Sequence, residues 1–504
     1  MNRRALPMLI ATVTVVLAAA APASAATTFV DCSAPGAVAD GSRAHPLTTL
    51  ADASSVPLGP GDAILLRRGT ECVGTLDATG AGSKKAPARI AGYGKGKPPR
   101  IVATGEDGVR LLNVPYVTVE GLEVTNPGDG STRKRGIHLM ATGETVGGVV
   151  VRDNLIHDVG GNLDKDGGGS GGIQVDSAGP GTGRFQRLVI EDNRIRDVSR
   201  SGIFIVGVSG GERPRASEPW PEASTGVRVR RNLVRRSAGD GIVTLGTDGA
   251  RVRRNYVVEG NLAGRPLGDP QGMICNAGIW AFHANNTVIE HNVVSRMKFN
   301  GCDGSGYDID YDQDGTVVQF NESYDNEGGF MLLCTDDQPR TAQVRFNLSV
   351  NDGYSFNSSP CSRPAGSYEG LRIYNNTIVG PDPGVAILGF DNTQLYGPPS
   401  LDFFNNAIVA TEEGRGFTCE PDCHHNLFWK IPPAGTEAVV ARPRFAARPP
   451  MDTLPIGYIP RPSSPLVDAG ARIPRDAARD FFGTKIRRAG KPDIGFAQVP
   501  PPKP

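Results

Sequence analysis

A short motif built around asparagine recurs along the middle of the chain and constrains the fold more than any other feature. Alternating apolar and polar residues lead to an asparagine, and an apolar pair commonly follows it, as in Val149-Val-Val-Arg-Asp-Asn154-Leu-Ile. The nine asparagines are Asn154, Asn193, Asn232, Asn255, Asn292, Asn321, Asn347, Asn376 and Asn406. Neighbouring copies lie 23 to 39 residues apart, a spacing typical of solenoids in which each repeat forms one turn.

A second strand-like segment, opening with glycine, lies between successive asparagines. Its copies include Gly202-Ile-Phe-Ile, Gly241-Ile-Val-Thr, Gly278-Ile-Trp-Ala, Gly306-Tyr-Asp-Ile and Gly329-Phe-Met-Leu. Several short strands therefore repeat without helical periods between them, and an asparagine marks one fixed corner of each turn. We predict an all-β parallel β-helix in which the stacked asparagines share amide hydrogen bonds and have a structural role.

The N-terminal residues have the three parts of an export signal. Arg3 and Arg4 precede an apolar run from Leu9 to Ala20, and a small-residue cleavage site follows at residues 23–25. We predict that residues 1–25 are a signal peptide and that the mature protein is secreted. A membrane anchor is the alternative, but the apolar run is shorter than the roughly 20 residues that a spanning helix needs.

Composition and charge exclude several classes of protein. The 53 Lys and Arg residues balance 53 Asp and Glu residues, so no overall field would draw the chain to nucleic acid or anionic lipid. The 65 glycines and 40 prolines follow no collagen-like triplet, and the mean hydropathy of −0.24 excludes a multispan membrane protein.

The eight cysteines fall as neighbours along the sequence. Sequential pairing would give the disulfides Cys32–Cys72, Cys275–Cys302, Cys334–Cys361 and Cys419–Cys423. An even number of cysteines in an exported chain favours disulfides, although eight cysteines allow about 105 connectivities. A zinc site at Cys419 and Cys423, with the adjacent histidines, is the alternative for the last pair.

The acidic run Tyr307-Asp-Ile-Asp-Tyr-Asp312 is the most informative candidate site. Successive strand residues point to opposite faces, so Asp308 and Asp310 face outward if Tyr307 and Ile309 fill the core. Two such carboxylates suit glycoside hydrolysis, because crowding like charges raises the pKa of one and supplies a general acid. We predict Asp308 and Asp310 as the catalytic pair.

Neighbouring turns add residues to this face. Aligning the strand-opening glycines places Asp308 in register with Trp280 and Met331, and Asp310 in register with Phe282 and Leu333. Aromatic side chains beside carboxylates are typical of sugar-binding sites. The remaining predicted residues are Glu327 as an acid/base partner, with a turn carboxylate as its alternative, and Trp280, Phe282, His283, Lys298 and Asp240 as substrate-binding residues.

The same run contains the first half of a calcium-loop pattern, from Asp310 to Gly315. The pattern ends in Asn321 where a calcium loop has glutamate, and it lacks flanking helices. Calcium bound by Asp312 and Asp314 is nevertheless an alternative. It would favour a polysaccharide lyase, in which Lys298 or His283 removes a proton next to a uronate carboxylate.

The asparagine turns, together with residues 304–330, resemble secreted right-handed parallel β-helix proteins of the pectate-lyase-like superfamily. The resemblance extends over about residues 30–498 and includes a capping segment at residues 40–69 and closing segments between 464 and 495. It implies an N-terminal cap and first coils at 26–110, a right-handed parallel β-helix at 111–430, and a closing segment and tail at 431–504. The superfamily contains lyases, hydrolases and adhesins, so the fold alone does not select the chemistry.

We therefore expect an exported carbohydrate-active enzyme, a glycoside hydrolase that binds a polysaccharide or oligosaccharide along the outer face of the coil. We expect it to act as a monomer, without a required cofactor and without a nucleic-acid partner. The alternatives are a calcium-assisted polysaccharide lyase and a non-catalytic glycan-binding adhesin.

Overall fold

The computed structural model describes residues 24–35, 38–164, 169–178, 183–208, 213–263, 275–300, 303–334, 341–353, 355–359, 369–381, 401–414, 416, 419, 422–447, 455–475, 477–487 and 490–500. The predicted signal peptide lies almost entirely outside these residues. The described strands form four sheets of 14, 14, 10 and 6 strands. The described helices are one α-helix, Leu50–Ser54, and one 3-10 helix, Pro455–Tyr458. Neither of these helices is long enough and apolar enough to span a bilayer.

Each sheet takes one short strand from successive turns of the chain. Sheet 1 contains Thr27–Val30, Ala63–Arg67, Ala88–Tyr93, Val117–Glu120, Val150–Arg152, Val189–Glu191, Arg228–Arg230, Arg251–Arg253, Val288–Glu290, Thr316–Gln319, Thr341–Arg345, Gly370–Tyr374, Leu401–Phe404 and Asp422–His424. Sheet 2 contains Glu71–Val73, Arg100–Val102, Glu123–Asn126, Leu155–Val159, Arg194–Val198, Leu233–Ser237, Tyr256–Val258, Val293–Ser295, Glu322–Tyr324, Leu348–Val350, Thr377–Gly380, Ala407–Ala410, Leu427–Trp429 and Val439–Val440.

The two shorter sheets complete the coil. Sheet 3 contains Leu76–Ala78, Asp107–Leu112, Arg135–Thr142, Gly171–Ala178, Ser201–Val206, Ile242–Leu245, Ile279–Phe282, Ser305–Ile309, Gly329–Cys334 and Phe356–Ser359. Sheet 4 contains Thr145–Gly147, Arg184–Gln186, Ser224–Thr225, Thr247–Asp248, Ala284–Asn285 and Gln313–Asp314. In a complete turn the chain passes from sheet 3 through sheets 4, 1 and 2 and returns to sheet 3, so the predicted parallel β-helix is confirmed.

The asparagines stack at the corner between sheets 1 and 2, as predicted. At Asn255, both the backbone N–H and the side-chain Nδ2 donate to Oδ1 of Asn292, at 2.9 and 3.0 Å. The same two-donor contact links each asparagine of the series to the next, and it continues from Asn406 to Asn426, a tenth member that the sequence motif did not include. Each ladder side chain is at most 2% exposed, so the ladder is an interior element of the coil.

Inward-facing valine, isoleucine, leucine and phenylalanine residues from all turns form one continuous core. The short helix Leu50–Ser54 begins at Thr49, whose hydroxyl accepts from the backbone N–H of Asp52 at 3.0 Å, and it buries Leu50 against this core. The C-terminal residues pack on the outside of the last turns, with Phe496 among residues of sheet 2 and Ile473 beside Phe346 and Tyr374.

Two of the four predicted disulfides are present in full: Cys32–Cys72 and Cys419–Cys423. Cys275 and Cys334 are also disulfide-bonded, and the partners predicted for them, Cys302 and Cys361, lie outside the described residues. No cysteine of the described part is free. The zinc alternative for Cys419 and Cys423 is therefore wrong, because a bridged sulfur is not the thiolate that a metal binds.

A second, shorter ladder ends in a buried carboxylate. Asn326 donates to Oδ1 of Asp352 from its backbone N–H and from Nδ2, both at 2.9 Å. Ser349 donates its hydroxyl to Oδ2 of Asp352 at 2.6 Å. Burial raises the pKa of Asp352 from 3.8 to about 6, despite these hydrogen bonds. An amide at this position would keep the ladder contacts without a charge.

We predict that Asp352→Asn stabilises the protein at neutral pH. The folded-state pKa lies above the unfolded one, so the wild type loses stability as the pH rises from about 4 to about 6, by about 3 kcal/mol in total. In urea unfolding, the advantage of the variant should increase by about 1 kcal/mol between pH 5 and pH 7.5. Asp325→Asn, at an exposed aspartate, is the control. A pH-independent advantage of Asp352→Asn would contradict the prediction.

Candidate active site

The outer face of sheet 3 carries the residues singled out in the sequence. In the strand Ser305–Ile309, Tyr307 and Ile309 are fully buried in the core. Because strand side chains alternate between faces, Asp308 and Asp310 lie on the outer side, as predicted. The connections to sheets 2 and 4 leave this face at its two edges.

The carboxylates of Asp308 and Asp310 lie close together. One oxygen of each lies within 4.8 Å of the other. Asp308 is 3% exposed, whereas Asp310 is partly exposed. The backbone N–H of Tyr311 donates to Oδ1 of Asp310 at 2.7 Å. The structure therefore brings together the two residues predicted as catalytic, with Asp310 nearer to solvent.

The sulfur of Cys334 lies within the same 4.8 Å of these two oxygens. It belongs to a disulfide, so it offers no thiolate to a metal. The described residues of this group then supply two carboxylates, fewer than the roughly six to eight oxygen ligands that calcium takes. The donor set fits proton transfer and nucleophilic attack better than metal binding.

Register across sheet 3 agrees with the prediction on one side of the acidic strand and differs on the other. Trp280 pairs with Asp308, as predicted. On the other side Asp308 pairs with Leu332 and Ile309 pairs with Leu333, so the predicted neighbours Met331 and Leu333 are wrong by one residue. Gly329 lies opposite Ser305 and not opposite Gly306, and matching the core residues Tyr307 and Met331 gives the observed register.

Aromatic rings form a continuous contact beside the acidic pair. The rings of Trp280 and Phe282 stack with centroids 5.5 Å apart, and Phe282 contacts Tyr311 at 5.2 Å. Trp280 is 2% exposed and packs on Phe204 and Val243, whereas Phe282 is partly exposed. Phe282 is therefore better placed than Trp280 to stack on a sugar ring.

Asp240 supports Trp280 from below the surface. Its Oδ1 accepts from Trp280 Nε1 at 2.9 Å and from the backbone N–H of Ala277 at 3.2 Å. Its Oδ2 pairs with Arg200 Nη1 at 2.8 Å and accepts from the hydroxyl of Ser201. Asp240 and Arg200 are both 0% exposed. This differs from the substrate-binding role predicted for Asp240, since a carboxylate with no exposed surface holds Trp280 in place and does not contact a ligand.

Glu327 and Lys298 form an ion pair away from the acidic pair. Lys298 Nζ lies 2.5 Å from Glu327 Oε1, and the backbone N–H of Phe299 donates to Oε2 at 3.0 Å. The hydrogen bond from Lys298 lowers the pKa of Glu327 below its usual value. Among the described residues, the group of side chains within 4.8 Å of one another at Asp308 and Asp310 does not include Glu327. The structure does not bring Glu327 or Lys298 beside Asp308.

His283 and Asp312 meet at the corner between sheets 3 and 4. His283 Nδ1 is hydrogen-bonded to Asp312 Oδ2, and Arg213 Nε donates to Asp312 Oδ1 at 3.2 Å. Arg213 also donates to the side chain of Asn285 and to the backbone oxygen of Pro214. The carboxylate of Asp312, predicted as a calcium ligand, is thus engaged on both oxygens by protein donors.

Asp314 is held in a similar way. Its Oδ2 accepts from the backbone N–H of Ala216 at 2.9 Å, and its Oδ1 accepts from the hydroxyl of Thr341 at 2.6 Å. Burial would raise the pKa of Asp314, but these hydrogen bonds outweigh it, and the pKa is lowered. The two aspartates of the calcium-like pattern therefore anchor, at Arg213 and Ala216, the connection between the strands Ser201–Val206 and Ser224–Thr225.

Arg213 and Arg200 were not predicted from the sequence. Both side chains are 0% exposed and each pairs with an aspartate far along the chain, Asp312 and Asp240 respectively. Neither residue belongs to a repeated motif. The sequence around Arg213 departs from the repeated pattern, which indicates an insertion between turns but does not indicate which residues it contacts.

The chain belongs to the right-handed β-helix family, whose model, described as "Right handed beta helix region", matches residues 99–293 and 182–398. This confirms the predicted handedness. Lacto-N-biosidase of Bifidobacterium longum subsp. longum is 26% identical in an alignment over 428 residues, and the match covers 66% of this chain and 26% of that protein. The chain thus spans about a quarter of the length of the curated relative it matches.

Solved structures share the fold. A GH136 lacto-N-biosidase from Eubacterium ramulus is 23% identical with a TM-score of 0.62, over 79% of this chain and 67% of that chain. XylC, solved in complex with xylose, is 13% identical with a TM-score of 0.52, over 94% of this chain and 98% of that chain. At these identities the likeness establishes a common architecture.

Proposed function

We propose that this protein is an exported glycoside hydrolase that acts on an oligosaccharide or polysaccharide through Asp308 and Asp310. The observation that carries the proposal is the pair of outward carboxylates with oxygens within 4.8 Å of each other, beside the partly exposed ring of Phe282. The sequence similarity to a lacto-N-biosidase supports the same class of reaction. The disulfides support action outside the cell, and we propose a monomer.

The spacing of the pair favours retention of anomeric configuration. Carboxyl groups lie about 5 to 5.5 Å apart in retaining enzymes and about 6.5 to 9.5 Å apart in inverting enzymes, which need room for a water molecule. In the first step one carboxylate attacks the anomeric carbon while the other, as the acid, gives its proton to the departing glycosidic oxygen. In the second step that group takes a proton from water, whose oxygen attacks the anomeric carbon and releases the first carboxylate.

The test is a panel of neutral and uronate-containing glycans, including a chromogenic glycoside of lacto-N-biose. We expect new reducing ends without absorbance near 235 nm, and proton NMR of the first product should show the anomer of the substrate. Absorbance at 235 nm would instead identify a lyase. Binding without any cleavage would identify an adhesin.

We predict that removal of divalent cations leaves hydrolysis unchanged within about twofold. Asp312 and Asp314 already accept hydrogen bonds from protein donors, and the group at Asp308 supplies two carboxylates, which is a poor calcium site. The measurement is the initial rate before and after dialysis against a chelator, followed by readdition of calcium. A loss of rate that calcium restores would contradict this prediction.

A further inference from the structure

The imidazole of His283 is fixed in one orientation. Its Nδ1 is hydrogen-bonded to Oδ2 of Asp312, and a carboxylate accepts but does not donate a hydrogen bond. Nδ1 therefore carries the proton and donates it to Asp312. Among the described residues, no group is hydrogen-bonded to Nε2 of His283. In a neutral ring this nitrogen is an acceptor, so the second ring nitrogen is available to a ligand.

Two residues of the connection between the strands Ser201–Val206 and Ser224–Thr225 support this orientation. Arg213 donates to the second oxygen of Asp312, so protein donors hold both oxygens of the carboxylate that accepts from His283. Trp220, 7% exposed, contacts the His283 ring edge to face with centroids 5.2 Å apart. The His283 ring is thus held by Asp312 at Nδ1 and by the ring of Trp220, and such support from neighbouring side chains is typical of a positioned functional group.

His283 lies next to the acidic pair. It directly follows Phe282, and its backbone N–H donates to the carbonyl of Tyr311 on the neighbouring turn. This hydrogen bond places His283 opposite Asp312, one strand spacing and two residues from Asp310, so the Cα atoms of His283 and Asp310 are about 8 Å apart. An imidazole at this place borders the sugar that Asp308 and Asp310 would act on.

We propose that Nε2 of His283 accepts a hydrogen bond from a hydroxyl or amide N–H of the substrate, and that the site selects neutral glycans over uronates. This inference rests on the proposed glycosidase function. An anionic sugar would face two carboxylates, whereas the cations named at this site are already paired: Arg213 with Asp312, Arg200 with Asp240, and Lys298 with Glu327. Arg213 and Asp312 act as positioning residues through His283.

The first test reads the ring directly. The chain has seven histidines, so selective ¹⁵N-histidine labelling of the full protein and long-range ¹H–¹⁵N correlation at pH 7 can resolve His283, assigned by its loss in His283→Gln. We expect Nδ1 to carry the proton that is donated to Asp312, and the Nε2 signal to move when a neutral oligosaccharide is added to the Asp308→Asn variant. A protonated imidazolium, an Nε2–H tautomer, or an unmoved signal with bound sugar would overturn the proposal.

The second test separates binding from folding. His283→Phe keeps a ring against Trp220 but lacks the acceptor, and we expect KM to increase about tenfold with kcat within about threefold, as for loss of one hydrogen bond. In Asp312→Asn, the asparagine can turn either its NH₂ group or its oxygen towards Nδ1 of His283. If the NH₂ group faces Nδ1, the Nε2–H tautomer is favoured, the acceptor on Nε2 is lost, and KM should increase similarly. Unchanged KM in both variants would overturn the proposal.

The failure of the proposed function has a different signature. If the wild type cleaves no glycan but the His283 Nε2 signal still moves with neutral sugar and not with a uronate, the binding inference stands and the hydrolase proposal fails. If the wild type cleaves a glycan, but the His283 signal does not move with sugar and KM is unchanged in the variants, the hydrolase proposal stands and the binding inference fails. A protein that neither binds nor cleaves any neutral glycan of the panel overturns both.

Discussion

Asp308→Asn and Asp310→Asn are each expected to lower kcat on a natural glycoside by about a thousandfold or more, without changing the fold. Asparagine has the size of aspartate but neither donates an acidic proton nor attacks the anomeric carbon. Because each carboxylate serves both steps of the reaction, neither can compensate for the other. The measurement is kcat and KM of each purified variant on the best substrate of the panel.

Two further readouts divide the roles between the two aspartates. A substrate with a good leaving group needs no protonation in the first step, so the acid variant should form the glycosyl enzyme from it, and added azide should accelerate its turnover. The nucleophile variant should remain inactive on both substrates. Asp153→Asn, at an exposed aspartate with the positive φ that asparagine also tolerates, is the matched control. Two variants with near wild-type kcat would exclude this pair as the catalytic residues.

The parallel β-helix was predictable because its signals are local and repeated. Asn255 and its counterparts recur at the same corner, and most of them are followed two positions later by an inward apolar residue that fills the core. Outward placement of Asp308 followed from the same alternation, since Tyr307 and Ile309 are apolar and adjacent to it. A pattern of period two is enough to assign faces, and a repeated corner residue is enough to assign turns.

Register between neighbouring turns was less predictable. Gly329 resembles the other strand-opening glycines, but it lies opposite Ser305, and Met331 rather than Phe330 lies beside Tyr307. A slip of one residue moves every side chain to the opposite face, so Met331 fills the core and Leu332 borders Asp308. The core side chain, not the glycine, determines the register.

Contacts between distant insertions could not be derived from the sequence. Asp312 and Asp314 have the spacing of calcium ligands, but their partners Arg213 and Ala216 lie 99 and 98 residues earlier in the chain. Asp240 has the position of a substrate ligand, but the buried guanidinium of Arg200 neutralises it. A carboxylate has the same local sequence whether it binds a metal, a sugar or an arginine, and only the fold brings the partner to it.

The second large effect that we expect is a loss of stability when the asparagine ladder is interrupted. Asn255 is 0% exposed, and its Nδ2 donates to the carbonyl of Val229 at 2.9 Å and to Asn292 at 3.0 Å. Its Oδ1 accepts both the backbone N–H and the Nδ2 of Asn232, each at 3.0 Å. Asn255→Ala removes all four hydrogen bonds and leaves groups of three neighbouring residues buried without these partners.

We expect Asn255→Ala to lower the free energy of unfolding by about 3 to 5 kcal/mol, because each stranded buried group carries a desolvation penalty of about 1 to 3 kcal/mol that local relaxation partly relieves. Urea unfolding followed by circular dichroism is the measurement. Tyr256→Ala is the control, since Tyr256 is the next residue on the same turn and is 53% exposed, so its loss should be below about 1 kcal/mol. Equal effects of the two variants would show that the amide ladder contributes no more than any strand residue, and the stacking of turns would then depend on the apolar core alone.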